Sequence, residues 1–310
     1  MNCGILFSMH AVPRMLPFLV LMGLTACSTS ALHDIDSQVA FLNHSFAVVD
    51  QATADAIEQS DYLRRFGVFN VHTTHADGGE SWTGRYLLGR KTYLELFGPK
   101  DGGGDVGTTG IGISPDRVGG LAALIQRFAR NNPSQLDTEV RTRQYGEEQV
   151  PWFNSAHTHE EGDALSVWAM EYLPSFMNDP RSEKKPAKGP DDVISRERSL
   201  SDDYLRRMMR DISLIEISAT MHDIALARPM FSAAGFWVSQ ERNRLVARDA
   251  DTTIIVAATS LKAAGIRRVE FVLNAPTASH VEHLGRSTLI VGPGTRAVWR
   301  FEEASVNKPD

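Results

Sequence analysis

The segment YLELFGP at Tyr93–Pro99 has a close copy later in the chain, AMEYLP at Ala169–Pro174. Each copy has the pattern of a short apolar strand with a glutamate in it, Glu95 in the first and Glu171 in the second. Ahead of both copies the pattern predicts the same order of elements: a strand, a helix and two further strands. A βαβββ unit is therefore predicted twice, and repeated units usually pack together, here around a shared cleft.

This repeat predicts a fold of the α+β class. Two modules, residues 41–99 and 105–177, are expected to pair into one curved mixed sheet that forms a domain of residues 41–177. In the second module, Ser114 supplies a capping hydroxyl ahead of Pro115, which predicts that the helix starts there. The two glutamates would then face the cleft from equivalent strands.

The rest of the chain divides by composition. Residues 178–205 are rich in Pro, Lys, Glu, Asp and Ser, which predicts a solvated linker or long loop. Residues 206–303 predict a third βαβββ-like α/β module with weaker similarity to the first two. Residues 304–310 form a short tail.

The N-terminal region predicts a lipoprotein. The apolar run Met15–Gly23 has the length of a signal-peptide core and is too short to span a bilayer. It leads into Leu24–Cys27, where small residues precede a cysteine as in a bacterial lipobox. We expect a signal peptide of residues 1–26, lipid on Cys27 and a tether over residues 27–40. Ser28 after the cysteine is typical of sorting to the outer membrane, with anchorage on the periplasmic side by two or more acyl chains.

Composition excludes several kinds of function. Cys3 and Cys27 are the only cysteines, so the mature chain would have no thiol for a disulfide, a metal site or a nucleophile. The net charge is −6 and no basic run stands out, which argues against nucleic acid as a partner. A nucleophile elbow, a dinucleotide fingerprint and a zinc-protease motif are absent from the sequence.

The paired modules resemble the vicinal oxygen chelate superfamily, which includes glyoxalase I, extradiol dioxygenases and the fosfomycin and bleomycin resistance proteins. The residues that carry the resemblance are Asn43–His44, Ser81–Gly84 and Tyr93–Phe97, and it extends over about Phe41–Phe176. The most similar proteins are expected to be glyoxalase-like bacterial lipoproteins. The resemblance implies a curved sheet that encloses a metal or a small-molecule ligand, and it implies homodimers.

By position, the resemblance implies His44, Glu95 and Glu171 as metal ligands. A fourth position falls near Thr109, where metal-binding members often have histidine or glutamine. One imidazole and two carboxylates can hold a divalent ion such as Zn, Fe, Mn or Ni with positions open for substrate. The ion would act as a Lewis acid on a small oxygen-bearing molecule, with Glu95 or Glu171 as general base, in lyase, isomerase or dioxygenase chemistry.

Each of these residues also has a structural interpretation. A single histidine on an apolar strand is more often a hydrogen-bonded core residue, and the repeated glutamates would be satisfied by salt bridges to Arg85 or Arg90. Two other functions stay open. One is a non-catalytic lipoprotein that binds or sequesters a small molecule in the same cleft, and the other is a structural envelope protein without a cleft.

Further candidates are weaker. Three histidine pairs have spacings that suit a metal or a cleft: His157 with His159, His280 with His283, and His72 with His75. The first pair precedes an acidic run and is expected at an exposed hairpin end. The second has a helical spacing without a third ligand, and the third is expected near the mouth of the cleft. Three large aromatic residues are expected to fill the core between sheet and helix: Trp152, Phe153 and Trp168.

Overall fold

The computed structural model describes residues 38–303. Cys27, the predicted signal peptide, most of the tether and the tail lie outside the described residues, so the lipid anchor stays a prediction. Within residues 38–303, no helix is long and apolar enough to cross a membrane.

The first part of the described chain forms one sheet of eight strands. Its elements are β1 (Phe41–Val48), α1 (Gln51–Gln59), α2 (Asp61–Phe66), β2 (Val68–His75), β3 (Ser81–Leu88), β4 (Tyr93–Phe97), β5 (Thr109–Ser114), α3 (Gly120–Asn131), β6 (Leu136–Tyr145), β7 (Glu148–Thr158) and β8 (Leu165–Tyr172). The strands pair in the order β2-β3-β4-β1-β5-β8-β7-β6, with β1 and β5 antiparallel at the centre. The predicted α+β fold, with two βαβββ modules in one curved sheet, is confirmed.

Side chains alternate between the two faces of this sheet. Leu94 and Leu96 of β4 and Ile111 of β5 are buried in the main hydrophobic core together with residues of the helices. Tyr93 and Glu95 alternate with Leu94 and Leu96 along β4, so their side chains point to the opposite face. The helices thus cover one face, and the candidate site lies on the other.

The helix α3 starts later than Ser114 and Pro115 predict. It begins at Gly120, and the N-cap Gly119 has a φ of 88° and makes no side-chain cap hydrogen bond. Ser114 Oγ instead accepts a hydrogen bond from Asn43 Nδ2 at 2.9 Å. The first amides of α3 therefore take their acceptor from elsewhere in the fold.

Residues 178–205, which we call the strap, form a long loop, one of the two expected forms, but part of this loop is buried against the first sheet. They begin where α4 (Pro174–Asn178) ends, and they contain α5 (Arg196–Ser199). The Arg196 guanidinium binds both carboxylate oxygens of Asp116 at 3.0 Å and donates to the Leu42 carbonyl at 2.6 Å. Arg198 donates to the carbonyls of Lys185 and Val193 within the strap and to that of Met177 in α4. The composition of the segment predicted a linker, because composition does not show which charged side chains form ion pairs and hydrogen bonds in the fold.

The segment 206–303, predicted as one module, contains a second sheet of eight strands. Its elements are β9 (Met209–Ala219), α6 (Met221–Ala234), β10 (Trp237–Glu241), β11 (Arg244–Arg248), β12 (Thr253–Ala258), β13 (Gly265–Thr277), β14 (His280–Leu284), β15 (Ser287–Val291) and β16 (Gly294–Phe301). The strand order is β10-β11-β12-β9-β13-β16-β15-β14, the same pattern as in the first sheet. Its second half has four strands and no α-helix between β13 and β14.

In the second half of the second sheet, the place of the missing helix is taken by α1 and α2 of the first module. The Phe66 ring of α2 meets the Phe271 ring of β13 edge-on with centroids 5.5 Å apart, and Tyr62 stacks on His280 of β14 at 3.9 Å. The backbone amide of Arg286 donates to Thr53 Oγ1 of α1 at 2.9 Å. The two sheets consequently share one hydrophobic core.

Candidate functional site

A cleft of about 1030 Å³ lies over the face of the first sheet that the helices leave open. The central strands supply its floor, because every second residue of each points to this face. These floor residues are His44 and Phe46 of β1, Tyr93, Glu95 and Phe97 of β4, and Trp168, Met170 and Tyr172 of β8. The floor is mainly aromatic, with a single carboxylate in its middle.

Glycines leave room for these rings on β5. Gly110 and Gly112 pair with Phe46 and His44 across the centre of the sheet. A Cβ on Gly112 would lie 2.5 Å from the imidazole of His44, so the ring lies over the bare backbone of β5. The small residues of β5 therefore set the depth of the cleft.

Glu171 does not face this cleft. Its Oε2 accepts a hydrogen bond from the Leu121 amide at 2.9 Å, and its Oε1 accepts one from the Gly119 amide at 3.0 Å. The carboxylate thus caps the N-terminus of α3, where a negative charge is favourable. The prediction that Glu171 joins His44 and Glu95 is wrong, because a shift of one residue along a strand moves a side chain to the other face.

Thr109 is not in the cleft either. It is fully buried, and its Oγ1 donates a hydrogen bond to the Ala164 carbonyl at 3.1 Å. Of the predicted ligand positions, only His44 and Glu95 share the cleft. Among residues 38–303, no group of three His, Asp or Glu side chains is arranged to hold a metal ion. The donors present therefore do not fit the predicted set of one imidazole and two carboxylates.

Glu95 is the most unusual residue of the cleft. It is only 6% exposed, and its Oε1 has no hydrogen-bond partner. Burial raises the pKa of Glu95 to about 7, and hydrogen bonds with Tyr86 and Trp82 offset part of that rise. Neither predicted salt bridge forms, since Arg85 pairs with Glu58 and Asp101, and Arg90 pairs with Glu197.

A glycine provides the space beside this carboxylate. Gly84 of β3 lies between Trp82 and Tyr86, and a Cβ there would be 2.6 Å from Glu95 Oε1 and 2.6 Å from the Tyr86 ring. Tyr86 also accepts a hydrogen bond from Trp82 Nε1 at 3.2 Å. Burial raises the pKa of Tyr86, so its hydroxyl remains protonated near neutral pH. The free carboxylate oxygen is thus surrounded by groups that hold it in place without neutralising it.

His44 is a neutral imidazole. Burial lowers its pKa to about 3. Its ring stacks on Tyr93 with centroids 4.5 Å apart, and its Nδ1 lies 2.8 Å from Asn43 Oδ1. Because Asn43 Nδ2 donates to Ser114 Oγ, Asn43 Oδ1 is the acceptor and His44 Nδ1 carries the proton. His44 is thus hydrogen-bonded through Nδ1, as the structural interpretation expects, and it also lines the cleft.

The strap end of the cleft holds two cations that the sequence did not single out. Arg143 of β6 and Lys184 of the strap both line it. The region around Ile194 of the strap packs in a small hydrophobic cluster with Met170 and Tyr172, which closes this end. Nothing in the sequence indicated Lys184, because it belongs to the segment predicted as a linker. Gly84, two residues before Tyr86 within a strand, was the signal for the space beside Glu95.

The weaker histidine candidates separate. His157 lines the cleft, but His159 is exposed and pairs with Asp137 at 2.8 Å, as expected for a hairpin end. His280 and His283 lie on strand β14 instead of a helix, so their side chains point to opposite faces. His72 lines the cleft and stacks on Tyr86 with centroids 4.3 Å apart.

The large aromatic residues differ from their prediction. Trp152, Phe153 and Trp168 line the cleft, instead of filling the core between sheet and helix. They pack only partly buried against the small cluster under the strap. The binding surface is thus richer in aromatic rings than the sequence pattern indicated.

A family model matches residues 42–301, which covers both sheets, and its description is "Family of unknown function (DUF5829)". The chain belongs to the DUF5829 family. The topology of the first sheet in this DUF5829 member is the one that the resemblance implied, with two βαβββ modules side by side. No curated protein matches the chain.

Solved structures resemble the chain only distantly. A hypothetical protein from Staphylococcus aureus is 10% identical, with a TM-score of 0.46 over 79% of this chain and 96% of that one. The halotolerant catechol dioxygenase BphC is 10% identical, with a TM-score of 0.38 over 88% of this chain and 96% of that one. At these TM-scores the likeness assigns no function to the DUF5829 chain.

Proposed function

We propose that this protein binds a small organic molecule in the cleft of the first sheet. The observation that carries the proposal is Glu95 Oε1, a buried carboxylate oxygen without a partner beside a cleft of about 1030 Å³. A buried polar atom without a partner costs about 1–3 kcal/mol, so a fold that keeps one gains from a ligand that supplies the missing donor. The aromatic floor would cover the apolar part of that ligand.

Tryptophans offer a direct test. The chain has five of them, of which Trp82, Trp152 and Trp168 line the cleft. Trp237 and Trp299 belong to the second sheet and serve as internal controls. The full chain is purified in detergent with ¹⁵N-labelled indoles and titrated with 2-naphthoate, 2-naphthyl phosphate and 2-naphthamide. We expect at least one probe to shift the three cleft indoles and to leave the other two unchanged.

A matched pair of variants completes the test. Gly84→Ala places a methyl group 2.6 Å from Glu95 Oε1 and should weaken probe binding about tenfold or more. Gly189→Ala, in open space on the strap, should leave binding unchanged. If no probe shifts the cleft indoles, or if Gly84→Ala binds as tightly as the natural chain, the proposed binding site is wrong.

A second candidate function is proton transfer in the same cleft. It is favoured by the pKa of Glu95, which at about 7 suits a general acid or base at neutral pH. The predicted lyase, isomerase or dioxygenase chemistry would then depend on Glu95, with His44 as a neutral neighbour. A divalent ion would need donors beyond these two residues. The test is exchange of the methyl protons of pyruvate for deuterium in D₂O, followed as loss of the methyl proton signal. Exchange with the natural chain but not with Glu95→Gln would support an enzyme. Equal exchange with both proteins would contradict it.

The predicted location belongs to the same proposal. The lipobox at Cys27 supports a lipoprotein anchored to the outer membrane on the periplasmic side, where the cleft would meet small molecules that enter the periplasm. Metabolic labelling with an alkyne analogue of palmitate tests this. The natural chain should carry the label and Cys27→Ser should not; equal labelling of both would exclude the anchor.

A further inference from the structure

The cations at the strap end of the cleft indicate which class of ligand the cleft binds. This inference rests on the proposed function. Most charged groups near Arg143 are already paired. Arg141 binds Glu80 and Glu139, and Arg181 binds Glu148 and Asp179. These arginines also line the cleft, so Arg143 has to be compared with them.

Arg143 differs because its contacts are aromatic. Its guanidinium lies 5.2 Å from the centroid of the Trp152 ring and 5.9 Å from that of Tyr145. Within residues 38–303 no carboxylate lies within ion-pair distance of it. Stacking on an aromatic face orients a guanidinium and leaves its N–H groups free for a planar or tetrahedral anion.

Lys184 provides a second charge at the same end. Its only hydrogen bond within the described chain runs from Nζ to the Ser199 carbonyl at 2.9 Å. Burial and then the nearby charge of Arg143 lower the pKa of Lys184 to about 8, and the charge of Glu183 offsets part of this change. The ammonium is thus still mostly protonated at neutral pH, although two like charges in a half-buried position repel each other.

The fold holds Lys184 there through the strap. Arg196, which is buried, attaches the strap to Asp116 and to the Leu42 carbonyl, and buried Arg198 donates to the Met177 carbonyl just before the strap and to the Lys185 carbonyl within it. Two cations in one cleft, neither of which forms an ion pair within the described residues, resemble an anion site in its free state.

The acids of the cleft do not fill this gap. Glu139 binds Arg141 and Ser155, and Glu160 binds His222. Three further acids of the cleft lining are exposed: Glu161, Glu183 and Asp203. Asp203 accepts a hydrogen bond from Ser201 Oγ at 3.1 Å, and Glu183 forms no ion pair within the described residues, although its charge raises the pKa of Lys184. His72, Glu95 and both cations line the same cleft, and His72 stacks on Tyr86 beside Glu95. One molecule in the cleft would therefore reach both Glu95 and the cations.

We propose that the ligand is an organic anion, with a carboxylate or phosphate group bound by Arg143 and Lys184 and a hydrogen-bond donor directed at Glu95. The aromatic floor between these ends would hold the carbon skeleton. The same probes test this. 2-Naphthoate and 2-naphthamide have nearly the same shape, but the first carries a negative charge and the second is neutral with N–H donors. 2-Naphthyl phosphate separates the two anion types.

The expected result is that one or both anions bind at least about tenfold more tightly than 2-naphthamide, read from the cleft indoles. Arg143→Gln and Lys184→Gln should each weaken the preferred anion about tenfold and leave 2-naphthamide unchanged. Arg143→Lys should recover part of the loss. Lys188→Gln is the control, since this exposed strap lysine pairs with Glu197.

Two results would overturn the inference while the proposed function stands: 2-naphthamide binds as tightly as both anions, or Arg143→Gln and Lys184→Gln bind the anion as tightly as the natural chain. Unshifted Trp237 and Trp299 indoles would show that these variants are folded. If none of the probes shifts a cleft indole, the proposed function fails, and the assignment of the anion fails with it.

Discussion

The two sheets share a strand order but differ on the face that the helices leave open. On the second sheet, that face carries charged groups that satisfy one another: Arg268 binds Glu216 and Glu270, both at 2.9 Å. On the first sheet, the same face lines a cleft that contains aromatic rings, a carboxylate oxygen without a partner, and two cations without an ion pair among the described residues, Arg143 of β6 and Lys184 of the strap. Among the described residues, the same architecture thus carries one face whose charged groups pair with one another and one face with polar groups that have no partner. Only the second face suits a ligand.

The largest expected effect concerns the strap, which closes one end of the first face. Arg196→Ala leaves Asp116 without its buried partner, and the free energy of unfolding should fall by about 3–5 kcal/mol. Arg196 is 3% exposed, whereas Arg268 on the second face is 31% exposed. Arg268→Ala should therefore cost less than about 1 kcal/mol. Urea unfolding of both variants measures the two losses of stability. Equal losses would contradict the expected difference between the two arginines.

The next effect is a pH dependence that comes from Glu95. Its pKa is raised from 4.5 to about 7 in the folded chain, so the folded state binds more protons than the unfolded state between these values. Stability from this group is fully present below pH 4.5 and is lost as the pH rises through 7, by about 3 kcal/mol in all. Glu95→Gln removes this slope. Urea unfolding from pH 4.5 to pH 8 should show the difference between the two proteins growing with pH, and parallel curves would contradict the buried carboxylate.

A smaller effect of opposite sign is expected at Glu171. Glu171→Gln removes the charge that caps α3, and the free energy of unfolding should fall by about 1–2 kcal/mol at neutral pH. Glu95→Gln should instead stabilise the chain at that pH. Opposite changes in the two variants would confirm that the repeated glutamates have different roles, and changes of the same sign would count against it.

The smallest expected effect is on metal binding. Because Glu171 lies on the helix side of the sheet, Glu171→Gln should leave the amount of zinc bound per chain unchanged, whatever that amount is. Equilibrium dialysis of the natural chain and the variant against Zn²⁺ measures it. Loss of zinc in Glu171→Gln alone would restore the ligand set that the resemblance implied.

Local pattern predicted the parts of the fold that depend on neighbouring residues. Alternating apolar residues indicated the strands of both modules, and capping is equally local, since Asp50 caps α1 by accepting from the Thr53 amide at 3.0 Å. The pattern also placed Glu95 in the cleft. It failed at Glu171. When the two copies are aligned by sequence, Glu171 matches Glu95, but its side chain points to the opposite face of the sheet because alternate residues of a strand face opposite sides.

The prediction failed elsewhere where partners come from distant parts of the chain. The strap was expected to be solvated because it is charged, but Arg196 meets Asp116 across 80 residues. The missing helix of the second sheet could not be foreseen either, since its place is filled by α1 and α2 of another module.

The sequence by itself determined the period of each strand, the repeat and the lipobox pattern from which an anchor is predicted. Only the tertiary structure decided which face each glutamate occupies and which charges remain without a partner. The physical reason is that alternation and capping act over a few residues, whereas burial and ion pairing depend on whatever side chains the completed fold brings within a few ångströms.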